Sequence, residues 1–406
     1  MSTSEVDPRL IQSRPGIGGV VRDFGRRLSQ GDLGSLPVVL GLVIVALYFQ
    51  WRNDRFLSAG NLTNLTLQMV AIGIMSVGVM LVLLLGEIDL SVGAVSGFAA
   101  ASTAILNIQH GWSAPFALLA GIGVGAAVGL VQGMWVSYFR VPAFLVTLAG
   151  LLAWQGALLR VLGRTGSVNI SSPGILRLAR TFYGSTITWI VAIGLLAVLT
   201  MSTVVSRARR SAAGLPVPPV IQPVVRLVAA AAVVVGAALV FNRDRGLPLA
   251  VLIFLALVIV VDLVLKRTKF GRHVYAVGGN AEAARRAGIP VQRIRVIAFV
   301  LASTLAAMGG LMEASRSRSV SQGSGTNDYL LYAIAGAVIG GTSLFGGRGS
   351  ASAALLGAVV IGAILNGMTL LQFESNLKFI ITGSVLLVAA TIDAVSRRGR
   401  SAAGRA

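Results

Sequence analysis

Long uninterrupted apolar runs dominate the chain, and no other feature restricts its fold as strongly. One helix crossing the hydrocarbon core of a bilayer needs about 20 apolar residues, and the runs recur at that length. They fall near residues 35–51, 62–86, 90–108, 113–137, 142–162, 185–205, 224–242, 247–265, 294–315, 329–345, 350–372 and 377–395. They are continuous, not the alternating ten-residue segments of a β-barrel. Hydrophobic residues are 55% of the 406 and charged residues only 12%, about half the ~25% of a soluble domain. A water-soluble enzyme, a disordered chain and a disulfide scaffold are excluded. The sequence predicts an all-α, polytopic transmembrane helical bundle of about twelve spans, within roughly 10–14.

Around these runs lie a polar tail at 1–34 and a permeating body at 35–395, followed by a basic tail at 396–406. The first run reads as an uncleaved span. Pro216, Pro218, Pro219 and Pro223 mark 206–223 as a linker that stops any helix. Residues 329–345 are short and glycine-rich, candidates for a broken or re-entrant helix.

The formal net charge is +20, from 34 basic and 14 acidic residues. In a soluble protein this balance would point to nucleic acid. Here the arginines lie between apolar runs, so the bilayer is the expected partner and nucleic acid is not. With the N-terminus inside and every run crossing, 23 of the 34 Lys and Arg fall on the cytoplasmic side. That bias predicts both termini in the cytoplasm. There is no cysteine, and only His110 and His273. Thiolate chemistry and a Cys or His metal centre are excluded, and neither a catalytic nor a metal-binding residue is expected.

Four acids sit in or beside apolar runs, where charge is a functional-site hypothesis by default: Glu87, Asp89, Asp262 and Glu313. Asp262 precedes Lys266 and Arg267 and reads as a solvated helix end. Glu313 precedes Arg316 and Arg318 and reads as a residue of the outer surface. Glu87 and Asp89 belong to Gly86-Glu87-Ile88-Asp89-Leu90-Ser91-Val92-Gly93, between two runs. Their i, i+2 spacing puts them on different helix faces. Asp89 is expected to cap a helix starting at Leu90 by accepting from the amide of Ser91 or Val92; a direct role in transport is the alternative.

The longest inside loop, 266–293, contains Gly278-Gly279-Asn280 and then Ala281 to Ala287. Asn280 is a good N-cap, Glu282 suits the first turn, and Gly288 with Pro290 ends the helix. A two-turn helix is marginal in water by itself. It either lies on the bilayer through Arg285 and Arg286 or docks, with Ala284 in its middle, on a cytoplasmic partner. The stretch Gly341 to Gly346 has P-loop spacing, but Gly347 and Arg348 follow where Lys and Ser/Thr are required. ATP, if it drives this protein, is bound by another chain.

Asn61, Asn64 and Gln68 share one face of the second run. With Gln132, Gln155, Asn366 and Gln372 they are candidates to line a substrate pathway. An amide offers a neutral hydroxylated molecule both a donor and an acceptor; hydrogen bonding between helices is the alternative use.

Four blocks carry a family resemblance: GEIDLSVG at 86–93, VPAFLVTLAGLLAWQG at 141–156, FGRHVYAVGGNAEAARRAGI at 270–289 and AVIGGTSLFGGRGS at 337–350. Together they resemble the ribose/xylose/arabinose class of bacterial ABC-importer permeases, over roughly residues 55–395. The linker, an extra apolar pair at 224–265 and GRTGSVNIS at 163–171 look like the xylose subgroup. The resemblance implies a helical permease, dimeric in the membrane, without ATPase activity or cofactor of its own. It implies a periplasmic sugar-binding protein and a cytoplasmic ATPase with duplicated nucleotide-binding domains, which would bind ATP and Mg. It further implies that 278–288 couples to that ATPase, that the location is the bacterial inner membrane, and that the cargo is a pentose, with D-xylose expected. Leu330 and Tyr332 stand where the family usually carries acids. An ion-coupled sugar symporter is the competing reading; it needs a buried titrating group, for which only Glu87 and Asp89 are central.

Overall fold

The computed structural model describes residues 36–215, 217 and 220–402. The tail at 1–34 with Ser35, Pro216, Pro218, Pro219 and residues 403–406 lie outside the described residues. Fifteen α-helices follow one another among them: α1 Leu36–Arg52, α2 Ala59–Leu84, α3 Val92–Ile108, α4 Ala114–Ser137, α5 Ala143–Leu162, α6 Pro173–Arg180, α7 Ser185–Ala212, α8 Ile221–Arg243, α9 Leu249–Arg267, α10 Lys269–Gly279, α11 Ala281–Arg286, α12 Val291–Ser317, α13 Asn327–Ile339, α14 Ala351–Leu370 and α15 Ser375–Ala402. Eight of them are long and apolar enough to cross a membrane: α2, α4, α5, α7, α8, α9, α12 and α14. The shorter apolar helices are Leu36–Arg52, Val92–Ile108, Asp328–Ile339 and Ser375–Thr391. The protein is therefore a multi-pass, all-α membrane protein.

Several boundaries differ from the sequence reading. α7 runs through Arg207, Arg209 and Arg210 to Ala212, and α8 begins at Ile221 with Pro223 in its first turn. The linker thus reduces to about the eight residues between those helices, because a proline in a first turn removes only an amide that has no partner anyway. α15 extends past 395, through Arg397, Arg398 and Arg400, to Ala402. Residues 266–293, read as a loop with one short helix, hold a second helix, α10. The segment 329–345 is a 13-residue helix ending at Gly340, followed by a non-helical glycine-rich stretch.

The chain divides into two compact units. Among the described residues the smaller contains 183–247, in which α7 and α8 pack side by side. Only 11% of the apolar window of either helix is buried. Of the apolar pair at 224–265, α8 lies in this unit with α7, whereas α9 packs against α2 and α14 in the larger unit.

In the larger unit α2 is the core. Its apolar window is 94% buried, enclosed by α12, α14, α13 and α9. Helices in lipid gain no hydrophobic drive from meeting one another and rely on close backbone approach through small residues. α4 shows how: Gly121, Gly125, Gly129 and Gly133 recur every fourth residue and form a stripe. A Cβ on Gly125 would meet Ala307 Cβ and Ser303 O, both at 2.6 Å; one on Gly133 would meet Val296 Cα at 2.9 Å. From Gly125 to Gly133 the stripe lets α12 lie directly on the α4 backbone, while Gly121 faces Thr103 and Ala99 of α3. Within the larger unit an antiparallel strand pair departs from the all-α plan: β1 (Ser167–Asn169) pairs with β2 (Ser319–Ser321) in the register Val168↔Val320. β2 leads to Ser324–Thr326, whose carbonyls press on Gly93 and Gly97 of α3. Gly325 is buried at that contact.

Replacing Gly129 by Leu should force α4 and α12 apart. Overpacking costs about 1–3 kcal/mol or more, so detergent-solubilised Gly129→Leu should give much less monodisperse protein on gel filtration. Gly123→Leu, at a position with nothing within 4 Å of a Cβ, should match the parent.

Candidate functional site

Three glycine-containing blocks that are far apart in sequence meet at the C-terminal end of α2. Gly347 N donates to Leu84 O at 2.9 Å. A Cβ on Gly278 would collide with Leu84 O and lie 2.7 Å from Gly347 N. One on Gly346 would lie 2.7 Å from Gly278 O and 3.0 Å from Gly86 N. Only glycine permits this three-way backbone contact, and Gly86 (φ 76) and Gly346 (φ 87) also hold left-handed conformations. Tyr275 of α10 adds a hydrogen bond from its hydroxyl to Gly349 O at 2.8 Å.

From this junction α10 leads into α11. Asn280 caps it, its Oδ1 accepting from Glu282 N at 3.0 Å and Ala283 N at 2.9 Å. Gly288 (φ 79) ends it. Its amide donates to Arg285 O, and Ile289 N donates to Ala284 O, both at 3.0 Å, the paired bonds of a Schellman stop. Ala284 is buried beneath the helix, while Glu282, Arg285 and Arg286 are exposed, with Glu282 paired to both arginines. Gly279, also exposed, leaves the turn into α11 open. The sequence-predicted helix is present, one residue shorter, and α10 is what holds it. Thr268 as N-cap, accepting from Gly271 N at 3.2 Å, was the signal for α10 in the sequence.

The neighbouring turn, 85–91, is polar but closed. Asp89 is 2% exposed and accepts from Ser91 N at 2.8 Å and Ser91 Oγ at 2.7 Å. Gln132 donates to Ser91 Oγ at 2.9 Å. The helix begins at Val92 with Ser91 as N-cap, so Asp89 stands two residues ahead of the cap and closes an Asx-type turn rather than capping a helix at Leu90. Burial pushes its carboxyl above the usual carboxylate range, outweighing the opposing Ser91 hydrogen bonds. Glu87 is ion-paired with Arg295 of α12 at 3.0 Å. Arg295 is a partner that the sequence reading did not name; only the fold brings it there.

At the opposite end of α2 lies a pocket of about 370 Å³. Asn61, Asn64, Gln68, Asn366 and Gln372 line it together with Arg316. Asn61 Nδ2 donates to Asn366 Oδ1 at 2.8 Å, and Asn366 Nδ2 donates to Gln68 Oε1 at 3.3 Å. The amides thus do both things weighed from sequence: they tie α2 to α14 and they face a cavity. Arg316, bound at 2.7 Å to Glu313, the acid that the sequence placed at the outer surface, adds a charge that was not among the pathway candidates. Gln132 and Gln155 lie elsewhere. Gln132 is buried beside Ser91, and Gln155 donates to Gln322 O at 3.1 Å. The two sites are separated by the length of α2, 26 residues, or roughly 39 Å at ~1.5 Å per residue.

Fold and site together define a polytopic helical membrane protein with a polar pocket at one end and a stabilised, outward-facing short helix at the other. Comparison with known proteins identifies the class. Residues 61–390 match the family described as branched-chain amino acid transport system / permease component. The chain is 36% identical over 369 residues to the xylose transport system permease protein of Escherichia coli K12, covering 90% of this chain and 93% of that one. It is 34% identical over 375 residues to the xylose permease protein of Haemophilus influenzae Rd, covering 92% and 99%. It is 30% identical to the ribose import permease protein of Escherichia coli K12, covering 91% and 97%. No solved structure matches. The chain belongs to this permease family, within its ribose/xylose class.

The Asx turn makes a prediction with a pH signature. Asp89→Asn keeps the acceptor and should fold; Asp89→Ala should lose about 1 kcal/mol or more. Because the folded carboxyl titrates above its unfolded value, its contribution is fully present below the unfolded pKa and fades as pH rises through the folded one. Thermal melts should therefore show wild type losing ground to Asp89→Asn as pH rises, and an unchanged gap would contradict the burial argument.

Proposed function

We propose that the chain is the membrane-spanning subunit of an ATP-driven sugar importer in the bacterial inner membrane, carrying a pentose, with D-xylose the first candidate. Twelve crossings, the eight long helices and the four shorter apolar ones, would leave both termini in the cytoplasm. The C-terminal end of α2 and α11 would then face the cytoplasm, and the amide pocket the outside. α11 carries this reading: it is capped at both ends, propped from behind by α10 and presents its charged face outward. Support also comes from the relatives, which serve xylose transport and ribose import.

In this reading a cytoplasmic ATPase with duplicated nucleotide-binding domains binds ATP and Mg and grips α11. A periplasmic sugar-binding protein delivers the cargo toward the amide pocket, and two permease chains form the pathway. The amides of Asn64, Gln68 and Asn366 exchange hydrogen bonds with sugar hydroxyls, as neutral donors and acceptors suit. Glu87 is held in an ion pair and Asp89 in a closed turn, an arrangement that favours structural roles over ion coupling.

Two measurements test the proposal. Radiolabelled xylose uptake by cells expressing the complete system should stop when the ATPase is deleted; uptake that persists without it and collapses with a protonophore would establish the symporter instead. Ala284→Pro removes the bond from Ala284 N to Asn280 O, 2.9 Å, and costs the helix ~3 kcal/mol. The protein should still insert, because no span depends on that turn. ATPase copurification and uptake should both fail, and a variant that retains them would refute the coupling role of α11.

A further inference from the structure

A second pocket, of about 240 Å³, lies between the α4–α5 connection, the start of α12 and α11. Arg140, Arg285, Gln292 and Arg295 line it, with Glu87 the one acid among its lining residues. Glu87 is already bound by Arg295. Even so, Arg295 keeps a buried Nε without a hydrogen-bond partner. Arg285 reaches Glu282 only in an exposed pair, which is worth little. Among the described residues Arg140 forms no ion pair. Its backbone is held at φ 57, a conformation that non-glycine residues seldom adopt. The pocket therefore presents more guanidinium charge than its own acid neutralises.

What surrounds the pocket defines the anion. Trp135, Tyr138 and Phe139, at the same end of α4, are 45%, 53% and 64% exposed, and the Trp135 and Phe139 rings meet edge-on at 4.6 Å. Such aromatic residues mark the headgroup level of a bilayer. From Ala143, on the pocket wall, α5 carries exposed Phe144, Leu145 and Leu148 deeper along the span. An anion with acyl chains fits both features: a phosphate met by a fork of guanidinium donors, and hydrocarbon lying along α5. We propose that this pocket is a specific binding site for the phosphate headgroup of an anionic phospholipid. The inference needs only that the chain spans a bilayer; it stands or falls apart from the sugar and the ATPase.

The test uses the full chain in phosphatidylcholine nanodiscs titrated with phosphatidylglycerol, with bound lipid counted by native mass spectrometry after release. Wild type should retain one phosphatidylglycerol in preference to phosphatidylcholine, and inorganic phosphate in large excess should not displace it. These two arms need no variant. Arg140→Asn, which keeps a residue that tolerates positive φ, should weaken retention about five-fold, the effect of one basic group near an anionic surface. Arg210→Gln, which removes a charge at the end of α7, should leave retention unchanged. Equal losses in both variants would reduce the effect to diffuse attraction by a basic chain and overturn the site. Displacement by inorganic phosphate would overturn the lipid as its ligand. Unchanged lipid retention in Arg140→Asn together with loss of ATPase copurification would reassign the pocket to a protein carboxylate, and overturn it likewise.

Discussion

In hydrocarbon the backbone has no water to turn to, and apolar side chains gain nothing by leaving lipid for one another. The fold therefore rests on how closely helix backbones can approach. The stripe from Gly125 to Gly133 brings α12 onto α4, and Gly121 brings α3 onto it. α12 in turn packs on α2 and α3, so one glycine seam sets the position of the central pair. Gly357 of α14 and Gly336 of α13 make an equally direct backbone contact on another side of α2. Bulky apolar residues are left to face outward, as Phe116, Leu119 and Trp135 do on α4.

That construction makes α2 a rigid rod joining two chemically different ends. Its first turns hold Asn61, Asn64 and Gln68, and its last carbonyls are claimed by Gly347 and crowded by Gly278. A force applied to α11 passes through α10 to the Leu84 carbonyl with no flexible side chain between them, because the contacts there are backbone on backbone. The same rod bonds to Asn366 at its far end. A closely packed interior transmits displacement instead of absorbing it, so the geometry links the short helix to the amide pocket through one element.

Much of this was legible in the sequence for a physical reason. Apolar runs, helix caps and glycine stops act locally, so Asn280, Gly288 and the order of the spans could be read without tertiary information. α10 was missed because Gly271, Gly278 and Gly279 argue against a helix; packing on Leu265 and Leu84 requires glycine at 271 and 278 and outweighs propensity. The Asp89 reading found the right acceptor and the right amide, but placed the helix start two residues early. The pairing of Glu87 with Arg295, and the convergence of residues 86, 278 and 346, involve positions about 70 to 260 residues apart, which only the fold brings together. Gln132 and Gln155 looked like Asn64 in sequence, and nothing local distinguishes an amide facing a cavity from one facing a serine or a loop carbonyl.

The departure at Leu330 and Tyr332 follows from the same packing. Leu330 is 6% exposed at the start of α13, and its backbone amide lies 3.4 Å from where a Cβ on Gly93 would sit. A carboxylate buried there would need a paired cation, because an isolated buried charge is strongly penalised. In this chain no such cation is required: leucine fills the packed position, and Tyr332 packs edge-on against Tyr329 at 6.4 Å. Tyr329, one residue before Leu330, is the side chain that interacts with Glu313 and Arg316. Those two are bound to each other through two bonds, at 2.7 and 3.0 Å. Arg316 also lines the amide pocket, so the start of α13 touches the cavity wall through Tyr329, a position that the departure at 330 and 332 leaves unchanged.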